Sequence, residues 1–192
     1  MARVAHCIAT RRSTAEPRVV AAQADLPGSA DVELDVVPGE WTEEEAGFRI
    51  FNAAGEEAVV GVRARPLEVF VDRRKSRATP FHEGYPGRHA GPARWRDGRI
   101  TLRVVFDRTT LEVFANDGET VLSERLYPTR ALDRIEPLDG GRGLASPLRL
   151  WELSTGSSTK KVTDTGRERV SEGRWEETPA MRLERGGTGP RR

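Results

Sequence analysis

The most suggestive chemical pair in the chain is Asp107 and Glu112, two carboxylates on either side of a tight turn. They lie in WRDGRITLRVVFDRTTLEVFANDGETVLSERLYP, residues 95–128. Packing Phe106 beside Val113 and Val104 beside Ala115 keeps one hairpin face apolar, and a one-residue slip would expose that face. This register predicts Asp107 directly opposite Glu112. Like charges so placed repel, so they need a cation, open solvent or a ligand. Arg103 and Arg108 are the local cations, and Arg73 is a more distant one. Facing carboxyls divide acid and base work only where one is kept protonated, and a wet sheet surface does nothing to raise a pKa. Two readings remain: a solvated hairpin end with screened charges, or a polar pocket that binds hydroxyl groups.

Other chemistry-bearing residues support less. His82 and His89 flank Tyr85 without a carboxylate cluster, so no zinc site is expected. Glu43, Glu44 and Glu45 read as a solvated loop. Cys7 is the only cysteine, which excludes an intrachain disulfide and a cysteine-cluster metal site. Gly140-Gly141-Arg142-Gly143 has no helix after it and is no phosphate loop. No cofactor and no metal are expected.

The elements that position these groups read as strands. Ile100, Leu102, Val104 and Phe106 alternate with Thr101, Arg103, Val105 and Asp107, which is a half-buried strand. Arg108–Leu111 is expected to turn the chain, Glu112–Asn116 to return it, and Thr120–Tyr127 to form a third strand after Asn116-Asp117-Gly118. Upstream, Arg18–Ala24, Asp31–Val36, Gly47–Phe51, Ala58–Val62 and Leu67–Val71 read as strands, with Phe48 and Ile50 inward. Ile135–Leu138 and Leu148–Leu153 close the set. Residues 72–95 are expected to form a long loop. Short strands with Gly, Pro, Asn and Asp turns and no long helix predict an all-β, two-sheet antiparallel β-sandwich of the concanavalin-like kind. The expected boundaries are a weakly ordered segment at 1–25, the sandwich at 26–155 and a disordered polar tail at 156–192.

Composition narrows the partners. Hydrophobic residues are 36% and charged residues 32% of 192, and 31 basic against 30 acidic side chains leave a net charge of +1. Such balance gives no long-range pull toward nucleic acid or an anionic membrane. No apolar run approaches the roughly 18–20 residues that span a bilayer. The first residues lack the apolar core of a secretory signal. The expected location is cytoplasmic by default, or secreted if a missing N-terminal part carries a signal.

Several segments resemble the C-terminal β-sandwich domain of glycoside hydrolase family 32, the family of invertases, levanases and inulinases. They are Phe106-Asp107-Arg108-Thr109-Thr110, Leu111-Glu112-Val113-Phe114 and Asn116-Asp117-Gly118. Val71-Asp72-Arg73-Arg74-Lys75-Ser76 is similar too, with Arg77 where the family carries Gly. So are Phe81-His82-Glu83, Arg88-His89-Ala90-Gly91-Pro92 and Leu150-Trp151-Glu152-Leu153. The likeness runs over roughly residues 28–154. It implies that catalysis belongs to a β-propeller of about 300 residues, whose nucleophile, R-D-P and E-C segments are not found in this sequence. It therefore implies an accessory module that stabilises such a propeller, in the same chain or another, and not an enzyme by itself. A propeller-docking face would be a contiguous exposed apolar patch. The alternative is a free-standing module that binds fructan or fructose, as related sandwiches of carbohydrate-binding module family 66 do. For that site Asp72, Arg73, Asp107, Arg108 and Glu112 would supply hydroxyl partners, and Trp95 or Tyr85 the flat surface.

Overall fold

The computed structural model describes residues 11–12, 16–39, 45–77, 82–83 and 85–154. The polar tail expected at 156–192, and Glu43, Glu44 and Phe81, lie outside the described residues. The strands are β1 (Arg11–Arg12), β2 (Arg18–Val20), β3 (Ala24–Asp25), β4 (Ser29–Val36), β5 (Glu45–Phe51), β6 (Glu57–Ala64) and β7 (Leu67–Asp72). They continue with β8 (Arg88–Pro92), β9 (Ile100–Asp107), β10 (Thr110–Ala115), β11 (Thr120–Arg125), β12 (Arg134–Pro137) and β13 (Leu148–Ser154). One sheet runs β1-β13-β4-β9-β10-β11, with β2 also on β13, and the second runs β3-β12-β5-β6-β7-β8. All pairings are antiparallel. The architecture is the two-sheet sandwich that the alternating pattern predicts.

The core follows from the period of two. On β9 Ile100, Leu102, Val104 and Phe106 are buried, while Arg103 and Asp107 face water. On β10 Leu111, Val113 and Ala115 share that inner face. Phe48, Ile50, Val60, Val62, Val69 and Val71 answer from the second sheet, and all belong to one buried cluster. Gly47 and Gly61 face each other across β5 and β6. A Cβ on either would lie 2.1 or 2.4 Å from a backbone carbonyl oxygen of the neighbouring strand, so the two strands approach there only because both side chains are absent.

The structure corrects the first hairpin. Phe106 pairs with Leu111, Val104 with Val113 and Asp107 with Thr110. The turn is therefore the two residues Arg108 and Thr109, and Leu111 belongs to the strand. Arg108 takes the left-handed conformation, φ 50°, that tight hairpins require. Asp107 is thus not opposite Glu112, and the expected repulsion disappears. The shift is an even number of residues, so each side chain keeps its face. Two further differences concern the ends of loops. β8 runs inside the stretch expected to be a long loop at 72–95, and β11 stops at Arg125, not Tyr127. Within the segment 1–25, β2 joins the first sheet through β13 and β3 joins the second through β12.

Candidate functional site

The sequence-derived residues fall into separate groups. On β11, Thr120, Leu122 and Glu124 pair with Ala115, Val113 and Leu111 of β10, so they point inward. Glu124 is buried there against the opposite sheet. Its Oε2 lies 3.0 Å from Arg73 Nε, and its Oε1 meets Nδ1 of His89, which points inward from β8. Arg73 also donates from Nη1 to the Arg125 carbonyl at 3.3 Å, and its guanidinium carbon sits 4.7 Å from the centroid of the Tyr85 ring. The Tyr85 hydroxyl shares a 2.8 Å bond with Ser76 Oγ and accepts the Tyr127 N–H at 2.9 Å. Tyr127 packs edge-on to Tyr85, centroids 5.5 Å apart. Nearby, Thr120 Oγ1 donates to the Pro92 carbonyl at 2.6 Å. These bonds join the two sheets along the β8–β11 edge. Arg73 and Tyr85 are committed to that suture.

Asp72 ends β7. Burial pushes its carboxyl up, but bonds from the Arg74 guanidinium and backbone N–H, with the charges of Arg74 and Arg88, hold it below the usual range. Trp95 packs partly buried against the core. Asp107 is exposed and accepts a 2.7 Å bond from Ser29 Oγ. Arg108 is exposed, and its N–H donates to the Gly28 carbonyl at 2.8 Å. Glu112 points outward between Val105 and Ser123, diagonal to Asp107. Diagonal positions sit farther apart than directly paired ones, so the two carboxyls are not forced together as the sequence register implied. The segment 125–127 links the suture to the hairpin turn, because the Leu126 N–H donates to the Thr109 carbonyl at 2.7 Å. Asp72, Arg73 and Tyr85 thus sit at the suture, and Asp107, Arg108 and Glu112 on the β9–β10 hairpin.

The most perturbed carboxylate was not among the candidates. Glu56 is 1% exposed, at the β5–β6 hairpin. Burial raises its pKa, but hydrogen bonds from Thr129 N–H, Asn52 Nδ2, Thr129 Oγ1 and Arg130 N–H overcome that and lower it to about 2. Asn52 Oδ1 in turn accepts the N–H groups of Ala54 and Glu56. This carboxylate pins the β11–β12 connection to the hairpin. Among the described residues the carboxyls with a resolved shift, Glu56, Asp72 and Glu119, all move down. None is held protonated as a general acid must be.

A second feature the sequence reading passed over is a cleft of about 370 Å³ lined by Glu16, Arg18, Asp25, Leu26, Pro27, Leu150, Trp151 and Glu152. It opens beside β13, between the stretch held by β2, Leu148–Leu150, and the stretch held by β1, Leu153–Ser154. Trp151 and Glu152 belong to the Leu150–Leu153 segment, and residues so far apart in sequence as Glu16 and Glu152 meet there only through the fold. The expected contiguous apolar patch is not found among the described residues. Their exposed large hydrophobics are Val19, Val121 and Tyr127, which sit on β2, on β11 and after β11. No group of three His, Cys, Asp or Glu residues among them could hold a metal.

Comparison with known proteins gives a consistent picture. The family model described as "Glycosyl hydrolases family 32 C terminal" matches residues 7–152. Levanase from Bacillus sp. (strain L7) is 34% identical over 105 residues, 54% of this chain and 11% of that protein. Levanase from Bacillus subtilis (strain 168) is 30% identical over 125 residues, 65% of this chain and 18% of that protein. The chain thus spans less than a fifth of either levanase. Exo-inulinase from Aspergillus awamori superposes with a TM-score of 0.61 at 20% identity, covering 77% of this chain and 29% of that one. That likeness shows the fold alone.

Proposed function

The chain belongs to the family of C-terminal domains of family 32 glycosyl hydrolases, and from that premise we propose that it serves as the accessory sandwich of a β-fructofuranosidase, packing on a catalytic propeller and stabilising it. The observation that carries this reading is the family match over residues 7–152 in a domain whose shifted carboxylates all favour the charged form. The domain is built to hold its shape. The propeller supplies acid and nucleophile, in the same chain or in another. The scattered exposed apolar residues point to a polar docking face, as interfaces between domains of one chain commonly are. Substrates of the whole enzyme would be sucrose or fructans, in line with the levanases.

The test is thermal inactivation of a family 32 propeller from the same genome, alone and with this chain present in excess. The reading expects co-elution and a half-life lengthened several-fold. Separate elution with an unchanged half-life would refute it.

A second reading is a free-standing fructan-binding module. The open cleft of about 370 Å³ between Leu26, Pro27 and Leu150 is one place on the domain with the size of a small-ligand pocket. The alternative location is the set Asp72, Arg73, Tyr85, Trp95, Asp107, Arg108 and Glu112. Calorimetry of the full chain with levan tests this reading: a saturable heat supports it, and none at millimolar sugar rejects it.

A further inference from the structure

Strand register puts two of the exposed apolar side chains on one face. Directly paired residues of a sheet share a face. The pairings of the first sheet give one unbroken row: Val19 on β2, Arg149 on β13, Glu33 on β4, Arg103 on β9, Phe114 on β10 and Val121 on β11. Their neighbours along the strands, Val20, Leu150, Leu34, Val104 and Val113, are buried in the core, so the row lies on the outer face. Val19, 64% exposed, and Val121, 49% exposed, stand at its two ends. Phe114, half-buried, lies directly beside Val121, and the half-buried Val105 is diagonal to it. In the middle of the row Arg149 meets Glu33 at 3.4 Å, and Arg103 turns to Asp31 at 2.7 Å.

The outer face of the second sheet covers its own aromatic groups. Phe70 is fully buried there, with the guanidinium carbon of Arg88 3.6 Å from its ring centroid. Phe70 pairs with Gly61, and Gly61 with Gly47, so the ring sits beside two positions that have no side chain. Arg88 is held by Glu45 at 2.8 Å, Glu45 by Arg63, and Arg63 by Glu68. Arg49 lies 4.5 Å from the centroid of Phe51 and meets Glu57 and Glu136. Cations that serve as lids on the second sheet have no counterpart over Val19 and Val121, which face solvent.

The width of the row sets the kind of partner. Its six strands, spaced about 4.8 Å apart, put Val19 about 24 Å from Val121. A single sugar ring cannot cover both ends, and a folded domain can. Interfaces between domains of one chain are mixed in this way, apolar contacts among polar ones, and bury roughly 600–1,500 Å². In the relatives of this chain the domain sits with a catalytic propeller domain in the same chain.

We propose that the outer face of the first sheet, along the row from Val19 to Val121, is the surface on which the catalytic propeller docks. The inference rests on the accessory-sandwich reading above and adds the face. Val19 at one end, and Phe114 with Val121 at the other, are the apolar anchors. Arg149, Glu33 and Arg103 form the polar middle.

The experiment measures association of the full 192-residue chain with a purified family 32 propeller from the same genome, by calorimetry. Sedimentation of the chain alone runs alongside. Val19→Glu and Val121→Glu put a charge on exposed positions, so both should keep the circular dichroism of the wild type. Each is expected to weaken association at least tenfold, and the two together should abolish it. Should Val121→Glu lose the fold, Val121→Thr, of the same shape, replaces it with an expected loss of about threefold. Lys75→Glu, 76% exposed beside Glu57 on the second sheet's outer face, should leave association unchanged. Wild-type affinity in the double variant would overturn this face and leave the accessory reading standing. A loss confined to Lys75→Glu would do the same. A chain that ignores the propeller and sediments as a dimer, dissolved by the same two substitutions, would replace the propeller with a second copy of the chain as occupant. Neither propeller binding nor a dimer would overturn the face and the accessory reading together.

Discussion

The two edges of the sandwich handle charge in opposite ways. At the β8–β11 edge the inward carboxylate of Glu124 is met by Arg73 and His89 from the other sheet, and Tyr85, Ser76 and Tyr127 close the ring of bonds around it. At the β13 edge, the exposed side chains of Glu16, Asp25 and Glu152 line an open cleft with Trp151. A charge whose partners are all supplied by the protein serves the fold. A charge left facing a cleft is available to something else. By that rule, the first edge has its charges engaged in holding the two sheets together, and the second leaves more of its charge facing solvent.

The largest expected effect breaks the saturated edge. Glu124→Ala leaves the mostly buried Arg73 without its carboxylate and frees the half-exposed His89, and breaking a buried pair costs about 3–5 kcal/mol. Urea unfolding should show a lower midpoint and an unchanged slope. A loss below about 1 kcal/mol would mean that the suture contributes little.

Next in size is the acid limb of stability. The folded-state pKa of Glu56 is lowered to about 2 from 4.5, so its contribution is fully present above pH ~4.5 and is lost as pH falls toward 2. The shift corresponds to about 3 kcal/mol at neutral pH. The thermal midpoint should therefore fall steeply in the wild type from about pH 5 to about pH 2.5. In Glu56→Gln it should start lower and fall less. Parallel curves for the two proteins would show that Glu56 is not the group responsible.

Smaller still are the hairpin-end carboxylates. Asp107→Ala loses one exposed bond to Ser29, and Glu112→Ala removes an outward side chain, so each should move stability by no more than about 0.5–1 kcal/mol. A loss of several kcal/mol at either would reveal a buried role that the register does not give them. The smallest change is expected at the open edge, where Asp25→Asn and Glu152→Gln should leave stability within about 0.5 kcal/mol. If these two variants unfold readily, the contrast between the edges fails.

Much of this fold was legible because burial follows local pattern. The alternation over Ile100–Asp107 and the inward Phe48 and Ile50 reappear directly. The hairpin register was not legible, because its turn depends on Arg108 adopting a left-handed conformation. Glycine or asparagine would have advertised that turn, and arginine does not. The candidate site was read even less well. Glu56 takes its bonds from Thr129 and Arg130, and Glu124 takes its partners from Arg73 and His89. Those pairings are fixed by which strands become neighbours, and no spacing in the chain encodes them. Trp151 lies within Leu150–Leu153, and no local pattern there announces that β4 borders it on one side and that Glu16, Arg18 and Asp25 lie across the cleft.

The claim on which the account rests is that this sandwich assists a catalyst and does not itself cleave glycosidic bonds. The most direct measurement is fructose release from levan and from sucrose by the purified chain alone, followed to completion against a family 32 propeller. The account predicts no release above the uncatalysed background. Sustained turnover by the chain that vanishes on substitution of its own carboxylates would contradict it.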